Sequence, residues 1–196
     1  MKPILDSRPL LWALLAAPAA LIAWLYATDA YSYGQVVHVT GDTSVRLLIV
    51  TMAATPLRLM FPRAGWAMWL MRRRRDFGVA TFGYAAFHLV VYLVRKAQPG
   101  LILSEGMEPE LLTGWLAFLA FLPLAATSND ASVRWLKRGW KRLHRLVYLA
   151  AVLVFAHWLL EAFTLTQALI HAGVLAGLEA TRLVLSRRRP SPANSR

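Results

Sequence analysis

The sequence predicts an all-α, polytopic membrane protein with six transmembrane helices and with both termini on the cytoplasmic side. Hydrophobic residues make up 58% of the 196-residue chain, and the mean hydropathy is +0.46, which is too apolar for an ordinary soluble domain. These residues occur in blocks close to the roughly 20 residues that cross a bilayer core. The basic residues concentrate on alternate connections between the blocks. Together these features indicate a helical bundle within a membrane.

Six apolar blocks predict the six helices in order. We interpret the first as a retained helix, because it is too long for a signal peptide and lacks a clear A-x-A cleavage site. The fourth block is the shortest. Three prolines lie inside blocks, where membrane bundles tolerate them because neighbouring groups satisfy the freed carbonyls; they are Pro18, Pro56 and Pro123. The blocks are Leu10–Thr28, Ser44–Phe61, Gly78–Val94, Leu111–Ala126, Leu146–Ala162 and Leu165–Leu185.

The distribution of the formal net charge of +12 predicts the orientation of the chain. Of the 22 Lys and Arg residues, 19 fall on the side that holds the N-terminus, and the other side has only Arg46, Arg95 and Lys96. Lys and Arg accumulate on the cytoplasmic connections of membrane proteins. The charge therefore predicts a cytoplasmic surface beside anionic lipid rather than a nucleic-acid-binding surface.

The connections between blocks are short, which leaves no room for a soluble catalytic or nucleotide-binding domain. Residues 1–185 are predicted to form one transmembrane domain, and residues 186–196 a disordered, basic cytoplasmic tail. The sequence shows no convincing internal repeat. The connections predicted to be loops are Tyr31–Asp42, the basic segment Pro62–Asp76, the acidic segment Ala97–Glu110 and the basic segment Thr127–Arg142.

The chain contains no cysteine. This excludes disulfides, cysteine-ligated zinc, iron–sulfur clusters and covalently attached c-type haem within it. Any redox centre in this chain must therefore be held by histidine or by polar contacts.

Two histidines lie at matching depths in the predicted helices three and five. His88 lies 13 residues after Arg75, and His157 lies 12 residues after Arg145, so at about 1.5 Å per residue both are roughly 18–20 Å from the cytoplasmic edge. Ionisable groups inside a membrane indicate function, and neutral imidazole is a common haem ligand. The pair can clamp a haem, with flat apolar surface provided by Phe87, Tyr92, Phe155 and Trp158.

The sequence gives weaker indications for the other three histidines. His144 lies 13 residues before His157, a spacing used where one helix ligates two stacked haems. An ideal helix rotates such a pair about 140° apart, so a helix distortion would be needed. The position opposite His144 on helix three falls near Arg74 or Arg75, and arginine is a poor iron ligand. His38 is expected in an outer loop, where it either is solvated or faces a quinone or a partner, and an internal hydrogen bond is expected for His171.

Four segments resemble the MsrQ (YedZ) family of the ferric-reductase-like transmembrane group: HVTGDTSVRLLIVTMAATPLR, RRDFGVATFGYAAFHLVVYL, LAFLAFLPLAATSND and WKRLHRLVYLAAVLVFAHWL. The resemblance extends over roughly Val36 to Leu185. It implies a protein of the bacterial inner membrane that carries one or two b-type haems, and also FMN. The haem-associated residues that it implies are His88, His144 and His157.

The same resemblance implies a non-catalytic electron-transfer subunit. Electrons would pass from the quinone pool to MsrP, a periplasmic molybdopterin enzyme that reduces methionine sulfoxide in oxidised proteins. Two alternatives remain open on the sequence. One is a transmembrane ferric or oxygen reductase supplied by a cytosolic flavin reductase. The other is a haem-free transporter or scaffold in which the histidines relay protons or pack the core. The acidic loop, with Glu105, Glu108 and Glu110, either steers a partner or is simply solvated.

Overall fold

The computed structural model describes residues 7–161 and 165–187, and all regular elements in these ranges are α-helices. Six helices are long and apolar enough to cross a membrane, which confirms the predicted all-α, six-span architecture. In order, the helices are α1 (Arg8–Ala27), α2 (Tyr33–Met60), α3 (Gly65–Lys96), α4 (Pro99–Glu105), α5 (Pro109–Ala126), α6 (Asp130–Leu136), α7 (Arg138–Leu143), α8 (Leu146–Glu161) and α9 (Leu165–Arg187).

Helices α2 and α3 are much longer than the apolar blocks that predicted them. α2 begins at Tyr33, where Ser32 and Gln35 form a capping box, and α3 begins at Gly65. The 28 residues of α2 span about 42 Å at 1.5 Å per residue, against a hydrocarbon core of about 30 Å. Both helices therefore extend into polar sequence, and the two connections predicted as loops there are mostly helical. The expectation that His38 lies in a loop is wrong, since it lies in the second turn of α2.

Short helices occupy the remaining predicted loops. α4 lies within the acidic segment, and α6 and α7 lie within the basic segment between α5 and α8. The helix is interrupted by a turn at His144 and Arg145, between α7 and α8. α7, this break and α8 together form the fifth of the six spans, Arg138–Glu161. α9 continues two residues past the predicted boundary at Leu185, and the rest of the predicted tail lies outside the described residues.

Five of the long helices form a closed ring. The most extensive contacts join α2 to α3 and α5 to α8; further contacts join α3 to α5, α2 to α9 and α8 to α9. α1 packs on the outside against α2 and α3. Side chains such as Leu48, Phe121 and Leu175 form the core of the ring, while Val94 and Val152 expose apolar surface outward, as expected for contact with lipid. The α2–α3 and α5–α8 pairs thus face each other across the bundle.

Candidate functional site: a cavity with two facing histidines

His88 projects from α3 toward α2. Its Nδ1 lies 3.0 Å from the backbone carbonyl oxygen of Val37. A carbonyl only accepts hydrogen bonds, so this contact assigns the proton of the neutral ring to Nδ1. Nε2 then keeps its lone pair, which is the arrangement found in imidazoles that ligate metals.

His157 projects from α8 toward α5 and is held in the same manner. Its Nδ1 lies 2.7 Å from the backbone carbonyl oxygen of Glu110. The same argument assigns the proton to Nδ1 and leaves the Nε2 lone pair for a ligand. Sequence reasoning placed Glu110 in a solvated acidic loop, and it did not identify this backbone contact.

The structure brings the two predicted histidines together. The ring centroids of His88 and His157 are 6.3 Å apart, and the ring planes are inclined at 85°. A metal–imidazole bond is about 2.0–2.1 Å long, so the centres of two imidazoles held in line on one ion are separated by roughly 6 Å. The separation of the two ring centres matches that value, and it is also an ordinary distance for edge-to-face ring packing.

Both histidines line one cavity of about 610 Å³. Its walls come from α2, α3, α5, α8 and the start of α9, and apolar side chains such as Val45, Phe118 and Phe121 form much of it. Tyr92 and Trp158 line the cavity, as predicted. Two other aromatic residues that were expected near the histidines pack elsewhere. Phe87 belongs to the α1–α2–α3 cluster, and Phe155 to the core of the ring.

One part of the cavity wall is polar, and sequence reasoning did not foresee it. Lys96, at the end of α3, forms an ion pair with Glu105 of α4 at 2.7 Å. The Tyr92 hydroxyl also donates a hydrogen bond to Glu105, at 3.4 Å. These three side chains line the cavity together with Asp42 of α2. The only sequence signal was the presence of acidic and basic residues on the same connection.

Asp42 is the most unusual of these polar groups. Its Oδ2 pairs with Arg46 at 2.7 Å, one turn further along α2. Its Oδ1 is buried and has no hydrogen-bond partner among the described residues. A buried unpartnered carboxylate oxygen is costly, so a group of this kind needs an explanation in terms of function or of a bound ligand.

His144 does not join the cavity. It lies at the break between α7 and α8, where its ring stacks on Trp140 with centroids 3.8 Å apart. Its Nδ1 contacts the carbonyl oxygen of Trp140 at 3.2 Å, and its Nε2 is buried without a hydrogen-bond partner among the described residues. Arg74 and Arg75 act on it electrostatically from α3, in agreement with the expectation that these arginines lie opposite.

The two remaining histidines differ in their placement. His38 lines the cavity from α2, rather than standing in a loop. His171, on α9, makes the internal hydrogen bond that was expected, with Nδ1 at 2.8 Å from the carbonyl oxygen of Gln167, and its ring lies 5.2 Å from that of Trp158.

An exposed ion pair joins two helices at the basic end of the bundle. Arg75 of α3 pairs with Asp130, the first residue of α6. The hydrogen bond from the Arg75 guanidinium holds the pKa of the Asp130 carboxyl below its ordinary value. The Asp130 carboxylate therefore stays ionised at neutral pH, and as a surface pair with Arg75 it adds little stability.

The six-span helical bundle, with two histidines on one internal cavity, is a multi-pass membrane protein with a candidate cofactor site. Comparison with known sequences shows which family the chain belongs to. Residues 40–155 match the sequence model of the family described as ferric reductase like transmembrane component. This region contains α3 and α5 whole and most of α2 and α8; it includes His88 and His144 and ends two residues before His157.

Closer relatives narrow this class. The chain is 34% identical to the protein-methionine-sulfoxide reductase heme-binding subunit MsrQ of Xanthomonas campestris pv. campestris, over 98% of this chain and 93% of the relative. It is 36% identical to the MsrQ of Ralstonia nicotianae, over 93% of this chain and 87% of the relative. The chain belongs to the MsrQ family. No solved structure matches it significantly.

Proposed function

We propose that this chain is the membrane electron-transfer subunit of a methionine sulfoxide reductase system, and that it holds a b-type haem between His88 and His157. The single observation that carries this proposal is the arrangement of the two rings, with 6.3 Å between their centres and both Nδ1 atoms on backbone carbonyls. The names of the relatives, which describe a heme-binding subunit, support the same assignment.

The cavity supports haem rather than a bare metal ion. A volume of about 610 Å³ is far larger than an ion with its ligands requires, and it lies within the usual range for small-molecule and cofactor sites. A bound haem would supply a one-electron carrier, because its iron changes between the ferric and ferrous states. The chain's own contribution is to orient the two imidazoles, to exclude water with apolar walls and to place charged groups at the polar part of the cavity.

His144 is proposed as a further haem-associated residue at the basic end. Its buried Nε2 has no hydrogen-bond partner among the described residues, so the lone pair is available to a ligand. The chain then carries two b-type haems if His144 serves a separate centre, and one if it does not. Binding of FMN is a further part of the proposal that rests on the family resemblance alone.

With both termini in the cytoplasm, as proposed, electrons would flow toward the periplasmic side of the membrane. The quinone pool of the inner membrane is the proposed donor, and a periplasmic molybdopterin enzyme, MsrP, is the proposed acceptor. Reduction of the sulfoxide belongs to that partner, and the membrane chain supplies the electrons for repair of oxidised periplasmic proteins. A cytosolic flavin reductase is the alternative donor, and the extensive basic surface at the α6–α7 end is where such a protein would meet the bundle.

The first test is the reduced-minus-oxidised visible spectrum of the purified protein, with haem quantified per chain as the pyridine haemochrome. We expect one or two b-type haems per chain in the wild type. His88→Ala and His157→Ala should each lose the haem of the central cavity. His171→Ala is the matched control, because that ring already bonds within its own helix and should leave haem content unchanged.

A colourless protein after expression with ample haem would overturn the proposal in favour of a transporter or scaffold. Full haem content in His88→Ala or His157→Ala would overturn the pairing. The donor is tested separately, by adding a reduced quinol analogue or a flavin reductase with NADH to the purified protein and following haem reduction. Rapid reduction by only one of them identifies the donor.

A further inference from the structure

Helices α2 and α5 present the same local structure to the two histidines. The carbonyl of Val37 that contacts His88 lies four residues before Gly41. The carbonyl of Glu110 that contacts His157 likewise lies four residues before Gly114. In each case the ring is therefore placed over one turn of the facing helix, between a carbonyl at one end of the turn and a glycine at the other.

The glycines are in contact with the imidazole rings themselves. A Cβ built on Gly41 would lie 3.2 Å from Nδ1 and 3.3 Å from Cε1 of His88, and outside its own helix the described residues bring no other atom within 4 Å. A Cβ built on Gly114 would lie 3.1 Å from both Nδ1 and Cε1 of His157. These separations are tighter than nine in ten real Cβ contacts. Each ring is also held beside its glycine by the contact of Nδ1 with the backbone carbonyl.

The two helix pairs share further features of sequence and chain order. A threonine precedes each glycine, at Thr40 and Thr113, and in each half the glycine helix comes before the histidine helix along the chain. The pairs concerned, α2–α3 and α5–α8, are the two most extensive helix contacts among the described residues. The correspondence lies in how the helices are paired, and the Thr-Gly pair is its main trace in the sequence.

We propose that Gly41 and Gly114 are positioning residues, one for each imidazole. Each allows a ring to lie on the backbone of the facing helix, where the carbonyl four residues earlier fixes its tautomer and its plane. The two copies together set the angle of 85° between the ring planes. This inference rests on the proposed roles of His88 and His157 as haem ligands.

Close helix packing is the other reason for glycine in a membrane helix, and it predicts different neighbours. A packing glycine approaches the backbone or many side chains of another helix. Among the described residues outside its own helix, only the His88 imidazole lies near a Cβ built on Gly41, and at Gly114 the three nearest atoms all belong to His157. Gly83 of α3, five residues before His88, provides a contrast, because a Cβ built on it would have no atom of the described residues within 4 Å outside its own helix.

The first test is a pair of double-mutant cycles on thermal stability, using the full chain in detergent. Gly41→Ala is measured in the wild type and in His88→Ala, and Gly114→Ala in the wild type and in His157→Ala. Alanine is the better helix former, so without the imidazole we expect it to keep or raise the unfolding midpoint. With the imidazole present we expect each substitution to lower the midpoint. Gly83→Ala, the control, should shift the unfolding midpoint by the same amount in the wild type and in His88→Ala.

The second test is the low-temperature EPR spectrum of the ferric protein. Nearly perpendicular axial imidazoles leave two iron d orbitals close in energy, which gives a strongly anisotropic low-spin signal, whereas parallel planes give a less anisotropic one. We expect the strongly anisotropic signal in the wild type and in Gly83→Ala, and a less anisotropic or absent one in Gly41→Ala and Gly114→Ala.

Two results would overturn the positioning role. One is an unchanged EPR signal in both glycine variants at full haem content. The other is an equal loss of stability with and without the imidazole, which would make the glycines packing residues. Failure of the proposed function is recognised independently: a colourless wild-type protein would overturn haem binding, and full haem content in His88→Ala or His157→Ala would overturn the pairing of these two histidines.

Discussion

The guanidinium of Arg8 donates a hydrogen bond from Nε to Oδ1 of Asp76 at 2.9 Å, joining the first turn of α1 to α3. The indole N–H of Trp12 donates to the same oxygen at 3.2 Å. Asp76 is only 4% exposed. The Tyr84 hydroxyl of α3 also donates a hydrogen bond to the backbone oxygen of Leu15 at 2.9 Å, so two polar attachments join α1 to α3 among the described residues.

We predict that Asp76→Asn loosens α1 and lowers the thermal unfolding midpoint of the detergent-solubilised protein. The substitution keeps the shape of the side chain and removes its charge, so the bonds from Arg8 and Trp12 weaken. Hydrogen bonds to charged groups contribute about 1.5–3 kcal/mol, and because Arg8 is largely exposed we expect about 1–2 kcal/mol. Asp130→Asn, which removes an exposed pair with Arg75, is the control and should change the midpoint little. Equal midpoints for the two variants would contradict the prediction.

For His144→Ala we expect a lower haem content per chain with retention of the low-spin signal from the His88–His157 centre. The reason is the separate location of His144, whose ring is stacked on Trp140 at the α7–α8 break. Pyridine haemochrome quantification and EPR on the same sample measure the two effects. His38→Ala is a useful comparison, because it alters a histidine that lines the central cavity. A full haem complement in His144→Ala would show that this residue holds no haem.

Asp42→Asn should raise the midpoint potential of the haem in the cavity. Reduction of ferric iron removes one positive charge, so loss of a nearby negative charge favours the reduced state. We expect roughly a few tens of millivolts, the effect of one charge at about 10 Å in an effective dielectric of about 20, reduced by Arg46. A spectroelectrochemical titration measures it. The exposed Glu108→Gln should show no shift, and a lower potential in Asp42→Asn would refute the argument.

Glu105→Gln is expected to speed the loss of haem from the protein. The ion pair of Glu105 with Lys96 fastens α4 beside the polar part of the cavity, and both side chains are about one-third exposed. Ion pairs exposed to solvent contribute little to stability, so we expect an acceleration of no more than about fivefold. Haem transfer to excess apomyoglobin provides the rate. Glu108→Gln again serves as the control, and equal rates for the two variants would exclude the fastening role.

The absence of cysteine makes the predicted orientation easy to test, since every introduced thiol is unique. Ser104→Cys in α4 and Ser186→Cys in α9 lie at opposite ends of the bundle. With both termini in the cytoplasm, a membrane-impermeant maleimide added to spheroplasts should label Ser104→Cys and leave Ser186→Cys unlabelled until the membrane is opened. The reverse pattern would invert the topology and with it the proposed direction of electron flow.

Much of the architecture was predictable because lipid imposes it on the sequence. Apolar length and the placement of Arg and Lys define six spans without any tertiary information. The matching depths of His88 and His157 also follow from counting along two helices. The helix ends were less predictable, since a helix such as α3 extends into charged sequence once its neighbours support it. Outside the hydrocarbon core, water solvates polar groups, so the apolar length of a block does not determine where its helix ends.

The finer structure of the site escaped sequence reasoning for a different reason. The carbonyls of Val37 and Glu110 are backbone groups, and their positions are independent of side-chain identity. Their role depends on which helices become neighbours, and that is decided by packing across the whole ring. A comparison of the two Thr-Gly pairs, at Thr40 and Thr113, could have suggested the correspondence between α2 and α5. Two residues are too few to establish it before the pairing of helices is known.

The division of the cavity between two helix pairs has a consequence for how the protein is made. His88 is synthesised 69 residues before His157, so the α2–α3 pair can enter the membrane while the other ligand does not yet exist. A nascent chain at that stage offers one imidazole and an open groove. Haem can be captured from both sides only after α8 has left the ribosome and packed on α5. We therefore expect insertion of the haem between His88 and His157 to be a late event of biogenesis.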